Sequence, residues 1–456
     1  IESNPLNTEI ETYRDLGAVV LTGDAIQESI LDNANIRKSS DIFTVTGNDM
    51  NNLEIAIKAL SRSSHEGLLV CHVHLNDTTL CSLLKSYQFR IHGKSKLKLE
   101  FFNIYTIAGY CLQQRFPPFQ EGSESPPDVH LLVFGAGRMG KTLIVRTAKK
   151  WRGSYGKTGK KMVISLIDRH ADSIAALLQT QYPSIPDYCT IIPYSVEFMS
   201  HEFITGSFLT DNWAIPQPTS LYITLEDTAM GLSLALKLRE QIRNPGIPII
   251  VQTINIDAFT KMLDELRIHS DNLQNIHPFQ ILSCACCRDL ILNGYRGLIA
   301  RTIHNSYLAR KRESGHTDPN DPATREWIEL DEELRASNYQ QADFIYSQIH
   351  SIGCDIIPAD SWDEPLFTFS ESELEYLSMR EHARWMQERI LNGWRWGPSK
   401  DSAQKISPYI VSYHLLADDI REYDRITVRG IPRILAKLDL KIVRGLAGRN
   451  DIEKKG

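Results

Sequence analysis

Leu131-Leu-Val-Phe-Gly135-Ala-Gly137-Arg-Met-Gly140-Lys-Thr142 is the stretch whose reading decides the fold. An apolar run that predicts a strand enters a glycine-rich turn, and a helical pattern over Thr142–Lys150 leaves it. Glycine at the first and second positions permits a tight turn and close backbone approach, and the free N–H groups of a helix N-terminus attract phosphate. The next predicted strand, Met162-Val-Ile-Ser-Leu-Ile-Asp168, ends on a carboxylate at about the distance at which dinucleotide-binding folds place a ribose partner. Candidate contacts of a dinucleotide are therefore Gly135, Gly137, Arg138, Met139 and Gly140 in the turn, with Asp168 and the adjoining Arg169. Gly135-x-x-x-x-Gly140-Lys141-Thr142 also fits the ATP-binding P-loop pattern. A P-loop has no need of Gly137, and it requires a magnesium-binding Asp after a later strand, for which Glu226-Asp227 beyond Ser220–Leu225 is a weak candidate. Both readings stand at this point, as does a strand–helix turn that binds nothing.

Around this motif the pattern is α/β. Strand-like runs His130–Phe134, Met162–Ile167, Thr190–Pro193, Ser220–Leu225 and Ile247–Thr253 have helical patterns between several of them. Upstream, Ala18–Leu21, Asp41–Val45 and Leu68–Val73 read as strands, with a helix over Leu53–Leu60. Strands alternating with helices predict parallel sheets. The polar Glu121-Gly-Ser-Glu-Ser-Pro-Pro-Asp128 closes the first segment. The expected domains are residues 1–122, 123–278 and 279–456; the last is helix-rich and holds most of the tryptophans.

Composition bounds the function. The chain has 456 residues, 42% hydrophobic and 23% charged, with net charge −6 and basic residues spread along it. A nucleic-acid groove needs a basic stripe, so nucleic acid is not an expected partner. No apolar run of roughly 18 or more residues predicts a membrane span. The opening Ile1-Glu2-Ser3-Asn4-Pro5 lacks both an initiator Met and a basic leader, and the expectation is that the natural protein begins upstream. Cys284-x-x-Cys287 has no second pair at ligand spacing, so no metal site is expected. Tyr307-x-x-x-Lys311 fits a dehydrogenase pair but lies far from the glycine turn, and no hydrolase or metalloprotease motif occurs. No catalytic residue is assigned; the expectation is a regulatory ligand-binding protein, not an enzyme.

The first segment carries a resemblance. Gly23-Asp24-Ala25, Ile30-Leu31, Ala34-Asn35-Ile36, Asp41-Ile42-Phe43-Thr44-Val45-Thr46, Asp49 and Asn52 together resemble the RCK/TrkA-N family of regulators of potassium conductance. That family places its first strand and glycine loop before this point, so residues 1–122 look like a Rossmann-like lobe truncated at its N-terminus. The resemblance puts Glu2 in the ribose position and adds Gly23, Asp24, Ala25 and Thr46 as candidate contacts. It makes residues 123–278 a divergent second lobe, the ligand NAD(H) or an adenine nucleotide such as ATP or ADP, and the partner a pore. The pore would be a membrane segment upstream of Ile1 or a separate subunit. A homo-oligomer at the cytoplasmic face of a bacterial inner membrane is implied.

The C-terminal segment carries a second one. Arg380-Glu381-His382-Ala-Arg384-Trp385, Asn392-Gly393-Trp394-Arg395-Trp396-Gly397-Pro398, Ser407-Pro408-Tyr409 and Glu422-Tyr423-Asp424-Arg425 resemble the RyR domain of ryanodine receptors. Leu330-x-x-x-Leu334-Arg335-x-x-Asn338 recurs as Leu416-x-x-x-Ile420-Arg421-x-x-Asp424, and His304-x-x-Tyr307 as His382-x-x-Trp385. Two pseudo-repeats are expected. Tyr307, Trp385, Arg389, Trp394 and Trp396 are candidates for a pocket that stacks a flat ring, although at helical spacing Trp is also a core residue. The alternatives are an ATPase using Lys141 and Thr142, and an effector channel whose RyR pocket reads a signalling nucleotide in phage defence.

Overall fold

A computed structural model describes residues 1–62, 69–91, 98–120, 125–198, 217–242, 244–253, 275–286, 288–313, 321–359, 365–401 and 403–445, with residues 200, 201, 203, 263, 265 and 273. The chain forms two compact units, Ile1–Leu292 and Asn293–Gly456.

The first unit opens with the smaller lobe. Strands β1 (Asp41–Thr44), β2 (Val70–His74) and β3 (Lys98–Phe102) form a parallel sheet in that order. Helix Asp49–Arg62 turns Asn52, Ile55, Ala56, Ala59 and Leu60 inward at helical spacing, and these pack on Cys71, Val73, Leu31 and Ile36. The expected strand Ala18–Leu21 does not form. Its neighbourhood pairs through a single bridge, Glu2 to Thr22, and Val19 is 88% exposed. An apolar run becomes a strand only where a partner strand takes its hydrogen bonds, and among the described residues Ala18–Leu21 has no strand partner beyond that bridge, the Ala18 N–H donating to the Tyr13 carbonyl of the preceding turn. β3 was not read from the sequence, because Lys98-Leu-Glu-Phe-Phe102 follows a polar stretch.

The larger lobe is a six-stranded sheet of β4 (His130–Phe134), β5 (Met162–Asp168), β6 (Cys189–Ser195), β7 (Ser220–Ile223), β8 (Ile249–Thr253) and β9 (Ile276–Gln280). The order is β6-β5-β4-β7-β8-β9 and every pairing is parallel. This is the doubly wound Rossmann order, and the winding reverses between β4 and β7, where such sheets bind their ligands. β4 is central and buried at all five positions, hence its unbroken apolar sequence. β9 extends the sheet past the strands the sequence predicted, and helix Ile281–Ala285 packs against helix Ile104–Arg115, where the Cys111 Sγ lies 3.8 Å from the carbonyl of Cys284.

In the second unit, the sequence predicted helices without strand alternation; the structure adds four short strands in two pairs. Helix Arg288–Glu313, broken at Gly294 (φ 48), precedes a 3-10 turn Trp327–Glu329, helix Glu332–Ser351 and β10 (Cys354–Pro358). Helix Glu371–Leu391, with β11 (Arg395–Trp396) and β12 (Ile406–Ser407) in the loop after it, precedes a 3-10 turn Tyr413–Leu415, helix Asp418–Ala436 and β13 (Leu440–Arg444). The two halves share matching hydrogen bonds. The ring nitrogen Nε2 of His304 meets the carbonyl of Arg325 at 2.8 Å, and that of His382 meets the carbonyl of Val411 at 2.9 Å. Arg335 Nε donates to the Leu330 carbonyl and Arg421 Nε to the Leu416 carbonyl, each at 3.0 Å. One spacing relates Leu330 to Leu416, Arg335 to Arg421 and Ile356 to Ile442. β10 and β13 pair antiparallel with Ile356 opposite Ile442, so this ladder is centred on a pseudo-two-fold axis that exchanges the halves. The fold is α/β: two Rossmann-like lobes, then a mainly helical unit of two pseudo-repeats.

Candidate functional site

The turn after β4 is three residues long, Gly135 to Gly137, and helix Arg138–Tyr155 starts immediately after it. Gly135 has φ +87, a conformation that L side chains rarely adopt, and its N–H donates to the Ile167 carbonyl. Gly140 has no room for a side chain: a Cβ there would stand 2.2 Å from the Gly135 carbonyl oxygen. Gly137 is different. Nothing lies within 4 Å of the place its Cβ would take, and no side chain caps the helix it begins. The first N–H groups of an 18-residue helix thus have no side-chain cap, and the space beside Gly137 is open, at the switch point of the sheet. Thr224, at the end of β7, supports the turn by donating its hydroxyl to the Gly135 carbonyl at 2.5 Å. Sequence reading missed Thr224, since only sheet order brings it beside the turn.

Asp168 ends β5 next to this opening. One carboxylate oxygen accepts from the Ala136 N–H at 2.8 Å and the other from the His170 N–H at 2.9 Å. The carboxylate thus fixes the turn and keeps lone pairs for a diol. Arg169 is exposed and pairs with Glu197 at 3.3 Å. The Met139 side chain is buried in the core, leaving only its backbone for a ligand. Lys141 and Thr142 lie inside the helix, with the Lys141 N–H already bonded to the Gly137 carbonyl. The Thr142 methyl is directed at Gly109 of helix Ile104–Arg115. A P-loop wraps phosphate in a longer loop and places its Lys and Thr at the helix start; this geometry does not.

Arg138 leaves the turn toward the smaller lobe. Its guanidinium is 3.4 Å from the Asn76 Oδ1, 3.5 Å from the Tyr105 hydroxyl and 5.6 Å from the Tyr105 ring centre. The hydrogen bond it donates to the Tyr105 hydroxyl raises its pKa. Close by, the Asp49 carboxylate accepts from the Asn76 and Asp77 N–H groups; burial opposes its ionisation, but these bonds lower its pKa. His74 is buried, which lowers its pKa, and its Nε2 has no hydrogen-bond partner among the described residues. Neither Asn76 nor Tyr105 was singled out from the sequence.

The other candidates of the smaller lobe stand apart from this cluster. Glu2 accepts from the Asn4 N–H and the Asn7 amide, bonds that lower its pKa and occupy both oxygens. The Gly23 N–H donates to the Glu2 carbonyl. Asp24 is exposed and accepts from the Ile26 N–H. Ala25 packs on the core. Thr46 bonds through N–H and hydroxyl to the buried Asn52, whose amide donates to the His74 carbonyl.

In the second unit three of the five aromatic-pocket candidates meet. The Arg389 guanidinium lies 5.7 Å from the Trp385 ring centre and 5.0 Å from that of Trp394. One guanidinium thus stands within cation–π distance of both rings. Trp396 is 59% exposed on β11, and Tyr307, in the other half, pairs with Lys311. A buried network lies one turn earlier on the same helix. Arg384 donates to Glu381 at 2.8 and 3.0 Å and to Glu388 at 2.9 Å. Burial pushes the Glu381 pKa up. For His382, burial opposes the charge, but Asp424 at 3.3 Å and the Val411 carbonyl outweigh it and raise the pKa.

Residues 1–85 match the TrkA-N domain. Residues 365–444 match the RyR domain. The TrkA-N match ends within the smaller lobe, and the RyR match covers the second pseudo-repeat. TrkA-N domains are NAD-binding Rossmann folds, which supports a dinucleotide ligand, and the two domains together support a regulatory, ligand-binding module of the potassium-transport type. A comparison with curated proteins finds no match. No helix among the described residues is long and apolar enough to cross a membrane.

Proposed function

We propose that the chain senses a nucleotide, NAD(H) or an adenine nucleotide such as ATP or ADP, at the Gly135–Gly140 turn and reports it to an ion-conducting partner. The observation that carries this reading is the open helix N-terminus at Gly137, at the switch point of the larger sheet and beside Asp168. A diphosphate there receives the amides of Arg138, Met139 and Gly140, while Asp168 accepts from the ribose. Arg138 supplies the report. Its guanidinium now rests on Asn76 and Tyr105 of the smaller lobe, and a phosphate at the turn competes for it. The shift this produces equals the ligand's differential affinity for the two arrangements. The nucleotide is bound without turnover, the chain works as a homo-oligomer, and its pore lies in an upstream segment or a membrane subunit at the cytoplasmic face.

Calorimetric titration of the full chain with NAD⁺, NADH, ATP and ADP, repeated on Gly137→Asp, tests this. Binding by the wild type and loss in the variant are expected, because a carboxylate at that position repels phosphate. Equal binding by both proteins, or release of phosphate from ATP above the protein-free rate, would overturn the proposal.

A further inference from the structure

The chain that leaves β2 is anchored from three sides. Asn52 and Asn103 are both buried. The Asn52 amide donates to the His74 carbonyl, and the Asn103 amide donates to the carbonyls of Leu75 and Asn76. The Asp49 carboxylate accepts from the N–H groups of Asn76 and Asp77. One polar atom on this anchored backbone is left over. His74 is 7% exposed, and its Nε2 has no hydrogen-bond partner among the described residues. A buried polar atom without a partner costs about 1–3 kcal/mol, so a change of state that satisfies it is favoured.

Two charges bear on that ring. Burial lowers the His74 pKa; Asp49, from helix Asp49–Arg62, raises it, and Arg138, from the helix after the glycine turn, lowers it. On β3 the Phe102 ring lies 5.3 Å from the imidazole. Glu100 of β3 stands opposite His72, and Asp41 of β1 bonds to His72 at 3.0 Å. Tyr105 and Glu226 act on Arg138. Arg138 is held weakly, because its contacts with Asn76 and Tyr105, 3.4 and 3.5 Å, are long for hydrogen bonds. A proton on His74 sets a second cation against that hold.

We infer that His74 is a positioning residue for Arg138: neutral, it leaves the guanidinium on Asn76 and Tyr105; protonated, it drives the guanidinium off, so that a nucleotide at the glycine turn is taken up together with a proton. The uptake rests on the nucleotide reading of that turn, whereas the coupling of His74 to Arg138 needs no ligand. The sign follows from linkage. A phosphate that captures Arg138 neutralises it, the repulsion of a charged imidazole is removed, and His74 holds its proton more tightly in the liganded state. Affinity therefore rises as pH falls through the range in which His74 titrates, and the ligand strengthens proton binding by the same factor.

Two measurements on the full chain test this. The first uses no nucleotide: ring-labelled histidine, with the His74 signal assigned through His74→Gln, is followed by NMR against pH in the wild type and in Arg138→Gln. Removing the exposed Arg138 charge moves the His74 midpoint up by about 0.5 pH or more; an unmoved midpoint would overturn the coupling. The second is calorimetry with NAD⁺, whose diphosphate does not itself titrate between about pH 5.5 and about pH 8, in buffers of different ionisation enthalpy. NAD⁺ binds at least about threefold more tightly at the lower pH, with net proton uptake. Both effects disappear in Arg138→Gln and in His74→Gln. Wild-type affinity that does not change with pH would overturn the proton linkage. A midpoint that moves in Arg138→Gln while NAD⁺ binds at neither pH would strike the nucleotide reading, and proton-linked uptake with it, and leave the His74–Arg138 coupling standing.

Discussion

Gly137 and Gly140 stand three residues apart on one turn, and different constraints act on them. A methyl at Gly140 would collide with the Gly135 carbonyl, whereas one at Gly137 meets nothing within 4 Å. Gly137→Ala is therefore expected to leave stability within about 0.5 kcal/mol of wild type and to abolish nucleotide binding by blocking the approach of the phosphates. Gly140→Ala is expected to lower both, as paired denaturation and binding curves will show. In the second unit Glu373 supplies a pH signature. The bidentate contact from Arg444 and the helix cap at Ser370 hold its pKa at about 2, down from 4.5. A depressed carboxylate stabilises the fold above its unfolded value and loses that contribution as pH falls toward the folded one. Stability contributed by Glu373 should fade between about pH 4.5 and 2. Glu373→Gln should flatten that limb in urea midpoints measured against pH; an unchanged limb would assign it to other carboxylates.

At the scale of elements, the β10–β13 ladder is the seam of the pseudo-two-fold. Ile356 and Ile442 are both buried and face each other across it. Ile356→Ala and Ile442→Ala should each cost about 2–5 kcal/mol, and by near equal amounts because the axis makes their surroundings equivalent. The double variant should cost less than the sum by about 0.5 kcal/mol or more, the coupling expected of residues in contact. Strict additivity in denaturant titrations would mean that the two halves do not share this seam. The helices of the same unit show how a repeat diverges. The histidines, the 3-10 turns and the Arg-to-carbonyl bonds are kept in both halves, while among the described residues the buried Glu381–Arg384–Glu388 network belongs to the second half alone.

For the molecule as a whole, two compact units predict two unfolding transitions in a calorimetric scan. A ligand of the glycine turn should raise only the first unit's transition, by about 2.7 kcal/mol at a hundredfold excess over Kd. If both rise together under NAD⁺, the units unfold as one. The Asp168 carboxylate also predicts selectivity: a 2′-phosphate would meet like charge. NADP⁺ should bind at least tenfold more weakly than NAD⁺, and Asp168→Asn should narrow that gap in parallel titrations.

Local chemistry made much of this legible in the sequence. The glycine turn, the Asp168 partner, the alternating strands of the larger lobe and the recurrence of Leu330–Asn338 as Leu416–Asp424 depend on residue type and spacing, which a chain displays before it folds. The resemblances to TrkA-N and RyR domains rested on the same local information, and the family matches bear them out. The tertiary structure decided what depends on neighbours brought from far along the chain. It added β3, β9, β10 and β13, since a short strand exists only by its pairing partner. It left Ala18–Leu21 unpaired beyond one bridge for the same reason. It shortened the glycine turn to three residues and so set aside the P-loop geometry. It brought Asn76 and Tyr105 to Arg138, and it brought the Arg389 guanidinium within cation–π distance of both Trp385 and Trp394. Spacing along a helix can bring side chains to one face; Trp394 reaches Arg389 only because the chain after the helix folds back, its N–H donating to the Arg389 carbonyl.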